Sequence, residues 1–257
     1  MVVLLCGAAL FLALAMSLAW AVQARTGNAG WVDVIWSFAT GAAGLALALG
    51  GGGGTAREGL VALLVAAWAV RLGWHIAGRS RGAANDPRYE FLRTEWGAAF
   101  QGRLFWFLQI QAVCAFVLAV SVWLAARNAA PLGLWDWLAV AVLGASILGE
   151  GVADAQLRRW RADAANRGGV CDLGLWGWSR HPNYFFEWLG WVAYPVFAIG
   201  GDGFGWLALG GPILMYWLLV HASGIPPLEA HMLRSRGAAF EAYQARTSAF
   251  FPLPPRG

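Results

Sequence analysis

Apolar residues run through this chain in long blocks, at roughly 1–22, 31–49, 59–77, 104–126, 133–153, 183–200 and 204–223. A helix needs about 20 mainly apolar residues to cross a bilayer, so each block predicts a spanning helix. The expected fold class is all-α: a polytopic seven-transmembrane-helix bundle, forming one domain over residues 1–257. The glycine run Gly50–Gly54 marks a flexible break between the second and third blocks, and no internal repeat is evident.

The polar positions are as patterned as the apolar ones. Segments 23–30, 78–103, 154–182 and 224–257 hold fifteen of the eighteen arginines. The remaining loops hold only Arg57 and Arg127, while Arg71 lies inside a block. Arginine-rich loops stay on the cytoplasmic side of a membrane, so the N-terminus is expected outside and the C-terminus inside. Loops 78–103 and 154–182 and the tail 224–257 then share the cytoplasmic side, in a bacterial-type inner membrane. No basic segment precedes the first block, which argues against a cleaved signal peptide.

Composition agrees: 59% of residues are hydrophobic and 12% are charged, against about a quarter charged in soluble domains. Seventeen tryptophans suit a protein with two membrane–water interfaces. The net charge of +4 comes wholly from arginine, with no lysine. A nucleic-acid surface needs a contiguous soluble patch, and no soluble domain is visible, so membrane topology and anionic ligands explain the charge better. Cys6, Cys114 and Cys171 are widely spaced and read as packing residues. No metal site and no obligate protein partner are expected.

Polar side chains inside or beside apolar blocks are the candidate chemistry, because they are costly there unless they have a task or a partner. Asp33, Ser37 and Thr40 recur at helical spacing in the second block; Asp33 must face a bundle interior, a wet cavity or a cation such as Arg71. Arg71 and His75, four apart, share a face of the third, where Arg71 needs a carboxylate such as Asp33 or Glu150, or an anionic cofactor. In NDPRYEFLRTEWG, Asp86-Pro87 reads as a turn or helix start, and Tyr89 is either a proton donor near the membrane surface or a member of the aromatic belt.

LGEGVADAQLRRWR places Glu150, Asp154, Arg158 and Arg161 on one continuous helix face that begins inside an apolar block. Carboxylates there suit ribose hydroxyls and guanidinium groups suit phosphates; a self-paired, solvated face is the alternative. In GLWGWSRHPNYFFEWLG, Pro182 starts a helix, putting Arg180 and His181 at an N-terminus that favours an anion. Asn183 and Glu187, four apart, point along one face into the block. The tail from Ser223 is amphipathic, carrying Glu229, His231, Glu241, Tyr243 and Arg246; it is either a surface helix or the cover of a cavity mouth.

These segments, together with EAYQARTSAFFP, resemble the DUF1295 group of the steroid 5α-reductase-like superfamily of seven-span membrane enzymes. The resemblance is most specific from Glu150 onward. It implies an NADPH-dependent oxidoreductase that reduces the conjugated C=C bond of a lipidic enone, such as a 3-oxo-Δ4-steroid, drawn from the membrane. It also implies that Glu150, Asp154, Arg158, Arg161 and Arg167 hold the nucleotide with Arg180 and His181. Asn183, Tyr184 and Glu187 would lie near the nicotinamide and ribose, with Tyr243 closing the site. The first half departs from the steroid reductases, where Asp33 and Tyr89 are the nearest chemical substitutes for a catalytic Glu–Tyr pair. RHPNY with the C-terminal Glu and E-x-Y pattern also resembles the isoprenylcysteine and phospholipid methyltransferases, which use S-adenosylmethionine. A non-catalytic membrane protein is the third alternative.

Overall fold

The computed structural model describes residues 1–51, 53–82, 87–201 and 203–256. Asp86 and Gly52, expected in a helix start and in the glycine break, lie outside the described residues. Eleven α-helices follow one another among the described residues: α1 Val2–Thr26, α2 Gly30–Leu49, α3 Ala56–Gly82, α4 Pro87–Trp96, α5 Phe100–Ala126, α6 Leu134–Ala162, α7 Leu175–Trp178, α8 Pro182–Phe197, α9 Gly210–Trp217, α10 Ile225–Arg236 and α11 Ala238–Arg246. Short 3-10 turns and one π-helical turn, Leu218–Ala222, join some of them.

Among the described residues, six helical stretches are long and apolar enough to cross a membrane: Val2–Thr26, Gly30–Leu49, Ala56–Arg81, Arg88–Ala126, Leu134–Ala162 and Gly205–Arg236. The chain is a multi-pass membrane protein. The block expected as a further span, 183–200, forms α8, which has 16 residues and carries Pro195 inside it. At 1.5 Å per residue such a helix is about 24 Å long, short of the ~30 Å hydrocarbon core.

The chain folds as two compact units, Met1–Val140 with Tyr194–Gly211, and Ala141–Ala193 with Pro212–Gly257. The first unit is built on α1, α2, α3 and α5. Its core holds Leu12, Met16, Val32, Leu47, Leu104 and Leu108, while Leu10, Leu14, Trp74, Trp106 and Ile110 stand exposed. In lipid the exposed apolar face is the solvated one, so van der Waals fit and polar contacts must join the helices. Small residues supply the fit: a Cβ on Gly41 would stand 2.1 Å from that of Ala69, so α2 and α3 can approach this closely here because this position is glycine. Polar glue comes from Gln101 Nε2 donating to Gln23 Oε1 at 3.2 Å and Gln109 Nε2 to Ser17 Oγ at 3.2 Å. Helix α1 ends at Gly27, whose left-handed φ of 71° lets its N–H return to the Gln23 carbonyl.

One buried ion pair anchors this unit. Arg57, at the start of α3, is 3% exposed and donates to both Asp136 oxygens, from Nε at 2.6 Å and Nη2 at 2.8 Å. It also donates to the carbonyls of Asn128, Ala130 and Pro131 in the loop between α5 and α6. Asn128 in turn donates to the Phe197 and Ile199 carbonyls at 2.9 and 3.0 Å. One guanidinium thus fixes the loop, the start of α6 and the end of α8. Breaking a buried pair from one side costs about 3–5 kcal/mol, whereas exposed Arg127 only covers the Trp123 ring at 5.0 Å. In detergent, Arg57→Met should therefore lower the melting temperature far more than Arg127→Met. Equal losses would show that the Arg57 cluster does not anchor the unit.

Candidate functional site

The second unit carries the densest polar cluster, and its local geometry begins at the turn into α8. Ser179 sits in extended backbone and pairs across an isolated parallel bridge with Ser248 of the C-terminal tail. Its hydroxyl donates to the Phe250 carbonyl at 2.8 Å and accepts the His181 N–H at 3.1 Å. The Arg180 N–H bonds the Ser248 carbonyl at 2.8 Å, and the Leu253 N–H bonds that of Trp178 at 3.0 Å. Pro182 opens α8, as its missing N–H and fixed φ favour. The tail is thereby strapped along the turn, and Phe250 and Phe251 pack among Phe185, Trp188 and Tyr216.

The strap centres on Glu229 of α10. Oε1 accepts Arg180 Nε at 2.7 Å and His181 Nε2 at 3.0 Å; Oε2 accepts Arg180 Nη2 at 3.1 Å and Gln244 Nε2 at 2.7 Å. Four donors meet the roughly four lone-pair sites of a carboxylate. Arg180 Nη1 donates further to the carbonyls of Gln244 and Thr247, at 3.2 and 2.5 Å. Since a carboxylate only accepts, His181 carries its proton on Nε2. Its ring stacks on Tyr184 with centroids 5.6 Å apart. Burial pushes the imidazole below the ordinary histidine range, and the contact with Glu229 only partly opposes this.

Arg180 and His181, expected to hold an anion at the α8 N-terminus, are thus committed to Glu229 and to tail carbonyls. Tyr243 is buried and donates to the Trp176 carbonyl, with the Ser179 carbonyl at 3.4 Å. Burial also pushes its phenol up. Glu229 was legible only as part of an amphipathic tail; its spacing from Arg180, 49 residues on, gives no local signal.

The face of α6 is as the sequence pattern predicted in one respect. Glu150 and Asp154 are buried, and Arg158, Arg161 and Arg167 further along the chain are exposed. Asn183 Nδ2 lies 3.4 Å from Asp154 Oδ1, tying α8 to this face. Glu187, also buried, accepts the Trp191 indole N–H at 3.0 Å. Carboxylates, an amide and guanidinium groups form a donor–acceptor set that fits a nucleotide: the acceptors suit hydroxyls and a carboxamide, the arginines suit phosphates.

In the first unit, Asp33 and Tyr89 come together. The Tyr89 hydroxyl stands 3.4 Å from Asp33 Oδ1, and Arg88 forms an ion pair with Asp33 Oδ2. Ser37 and Thr40, which share the Asp33 face, turn their hydroxyls back to the Asp33 and Trp36 carbonyls at 2.8 and 2.7 Å. Arg71 and His75 lie half-buried on α3. Arg88 was not singled out from the sequence, although its place beside Tyr89 was a signal. The cysteines are free; Cys171 is buried, Cys114 is half-buried and Cys6 is exposed.

Comparison with known proteins places the chain. A family described as "Protein of unknown function (DUF1295)" matches residues 19–247, and the chain belongs to that family. It is 27% identical to a Schizosaccharomyces pombe protein described as "Uncharacterized protein C594.04c", over 91% of this chain and 75% of that one. No solved structure matches it.

The buried imidazole gives a pH signature with a fixed sign. Its folded pKa lies below the ordinary 6.5, so below that value the unfolded chain binds the proton first. The stability contributed by neutral His181 is complete above about pH 6.5 and is lost as pH falls from there through the folded value. Melting temperatures in detergent between pH 8 and pH 5 should fall more steeply for the wild type than for His181→Gln. Parallel curves would mean that this histidine does not titrate on unfolding.

Proposed function

We propose that this protein is an NADPH-dependent membrane oxidoreductase that reduces the conjugated C=C bond of a lipidic enone, such as a 3-oxo-Δ4-steroid. One observation carries the reading: the α6 face passes from buried Glu150 and Asp154 to exposed Arg158 and Arg161, with Asn183 of α8 against Asp154. A nucleotide bearing several phosphates presents that order of chemistry. Its ribose hydroxyls and carboxamide need buried acceptors, and its phosphates need cations able to stay hydrated until it binds. Arg158, Arg161 and Arg167 would take the phosphates, including the 2′-phosphate that separates NADPH from NADH. Asp154, Asn183 and Glu187 would take the sugar and the nicotinamide amide, with Tyr184 alongside. Arg180, His181 and Tyr243 serve this site through the strap that holds the start of α8.

When bound, NADPH supplies a hydride to the β-carbon of the enone. The protein must then stabilise negative charge developing on the carbonyl oxygen. Protonation of the α-carbon completes the reduction. A seventh crossing by α8, around whose 16 residues the bilayer would thin, with the N-terminus outside and the C-terminus inside, belongs to the same proposal. It puts all the candidate nucleotide residues on the side where cytosolic NADPH is available.

The test is ligand-induced stabilisation in detergent. NADPH should raise the melting temperature more than NADH or S-adenosylmethionine does. Arg158→Gln with Arg161→Gln should weaken NADPH and bring it down to NADH, while Asp154→Asn and Glu187→Gln should weaken both. A larger shift with S-adenosylmethionine would replace hydride transfer by methyl transfer. Cysteines introduced at Ala129 should label from outside sealed vesicles, and cysteines at Arg167 should not. Labelling at Arg167 from outside would overturn the orientation.

A further inference from the structure

We infer that a furrow between α1 and α2 seats an anionic glycerophospholipid, with one acyl chain in the furrow and the phosphate at Arg25. The furrow encloses about 510 Å³, within the roughly 300–1,000 Å³ of ligand sites. Exposed Phe11, Leu14 and Leu18 of α1 form one wall. Val34, Phe38 and Ala39 of α2 form the floor and the other wall. That second wall is held from behind. Trp31 and Phe38 pack with Val34 against Ile76 and Ala77 of α3, and Trp74 meets the Phe38 ring edge-on at 6.2 Å. A shape already fixed by its neighbours needs little ordering to accept a ligand. The side chains that line it are apolar, so the part of the occupant lying in it is hydrocarbon.

Position and charge select the occupant. Residues spaced as Phe11, Leu14, Leu18 and Arg25 fall along one helix face, so the α1 wall leads on to Arg25 in the last turn of that helix. The fourteen positions from Phe11 to Arg25 cover ~21 Å at 1.5 Å per residue, half of a bilayer ~40–45 Å thick with its headgroup layers. The furrow and its cationic end together have the depth of one lipid. Asn28 Nδ2 donates to the Ser80 carbonyl at 3.0 Å, tying the turn between α1 and α2 to the end of α3, where Arg81 is exposed as Arg25 is. Neither segment 23–32 nor segment 76–82 contains a carboxylate, so this end of the unit is positive and favours an anionic headgroup over a zwitterionic one. Trp31, on the α2 face that continues to Val34 and Phe38, starts that helix beside the same turn, where an indole suits the membrane interface. A second copy of the chain fits less well. A helix with its side chains is ~10–12 Å across and would rest on Phe11, Leu14 and Leu18 without reaching the floor, which a single acyl chain reaches.

The test is native mass spectrometry of the purified full chain, delipidated and then given equal amounts of dioleoyl phosphatidylglycerol and dioleoyl phosphatidylcholine. The wild type should retain one phosphatidylglycerol per chain in preference to phosphatidylcholine. Arg25→Gln should weaken phosphatidylglycerol about 5-fold, the loss for one cation at a membrane surface, and bring the two lipids level. Ala42→Phe fills the furrow from an exposed position and should reduce retention of both lipids. Leu18→Ala removes part of the exposed wall, should also reduce retention, and carries the test if the Phe variant fails to fold. Leu10→Ala, exposed on α1 but outside the furrow, should bind as the wild type does. Equal retention of the two lipids by the wild type, unchanged retention in Ala42→Phe and Leu18→Ala, or a loss in Leu10→Ala as large as in Leu18→Ala would overturn the assignment. So would a dimer that Ala42→Phe dissociates, which would make a second copy of the chain the occupant.

Discussion

A charge carried into an apolar body must find a counter-charge or a full set of hydrogen bonds, and this constraint organises the polar structure of the chain. Arg57 against Asp136, Arg88 against Asp33 and Arg180 against Glu229 show how it is met among the described residues. Each pair joins segments far apart in the sequence, so each fixes where a helix begins or a loop returns. Lipid supplies no hydrophobic force between helices, so these pairs add position to the van der Waals fit that joins them.

The helices were legible because the apolar blocks are long and the arginines interrupt them at regular places. The limits of that reading are physical. The block at 183–200 is apolar enough for a span, but Pro182 and the end of α8 at Phe197 leave 16 helical residues. Hydropathy counts residues and does not report where the backbone stops being helical. The Asp33 and Tyr89 candidates were found by residue type, and the structure brings them within 3.4 Å. Their link through Arg88 stayed hidden because it depends on how α4 lies against α2. Glu229 escaped for the same reason: a carboxylate on an amphipathic helix looks solvated until its partners, here Arg180, His181 and Gln244, are seen around it.

Saturation separates the structural from the available groups. Glu229 has its lone pairs filled, and the Arg180 guanidinium is tied to Glu229 and to two carbonyls of the tail. Such a hub is close to neutral in sum and holds the tail against the start of α8. An anionic ligand would have to break several charge-assisted bonds to recruit Arg180. Arg158 and Arg167 stand exposed, where recruiting them costs only their mobility. The same RHP segment that resembles a ligand motif in the sequence therefore acts as a strap in the structure, and the phosphate-binding reading rests on the arginines of α6 and the loop after it.

The exclusive use of arginine fits this division. A lysine placed at position 57 would offer three donors from a single point and could shed its charge when buried. The site at position 57 needs a planar fork, because Nε and Nη2 reach two oxygens of one carboxylate while Nη1 reaches loop carbonyls. Arg180 repeats that pattern with Glu229 and the tail.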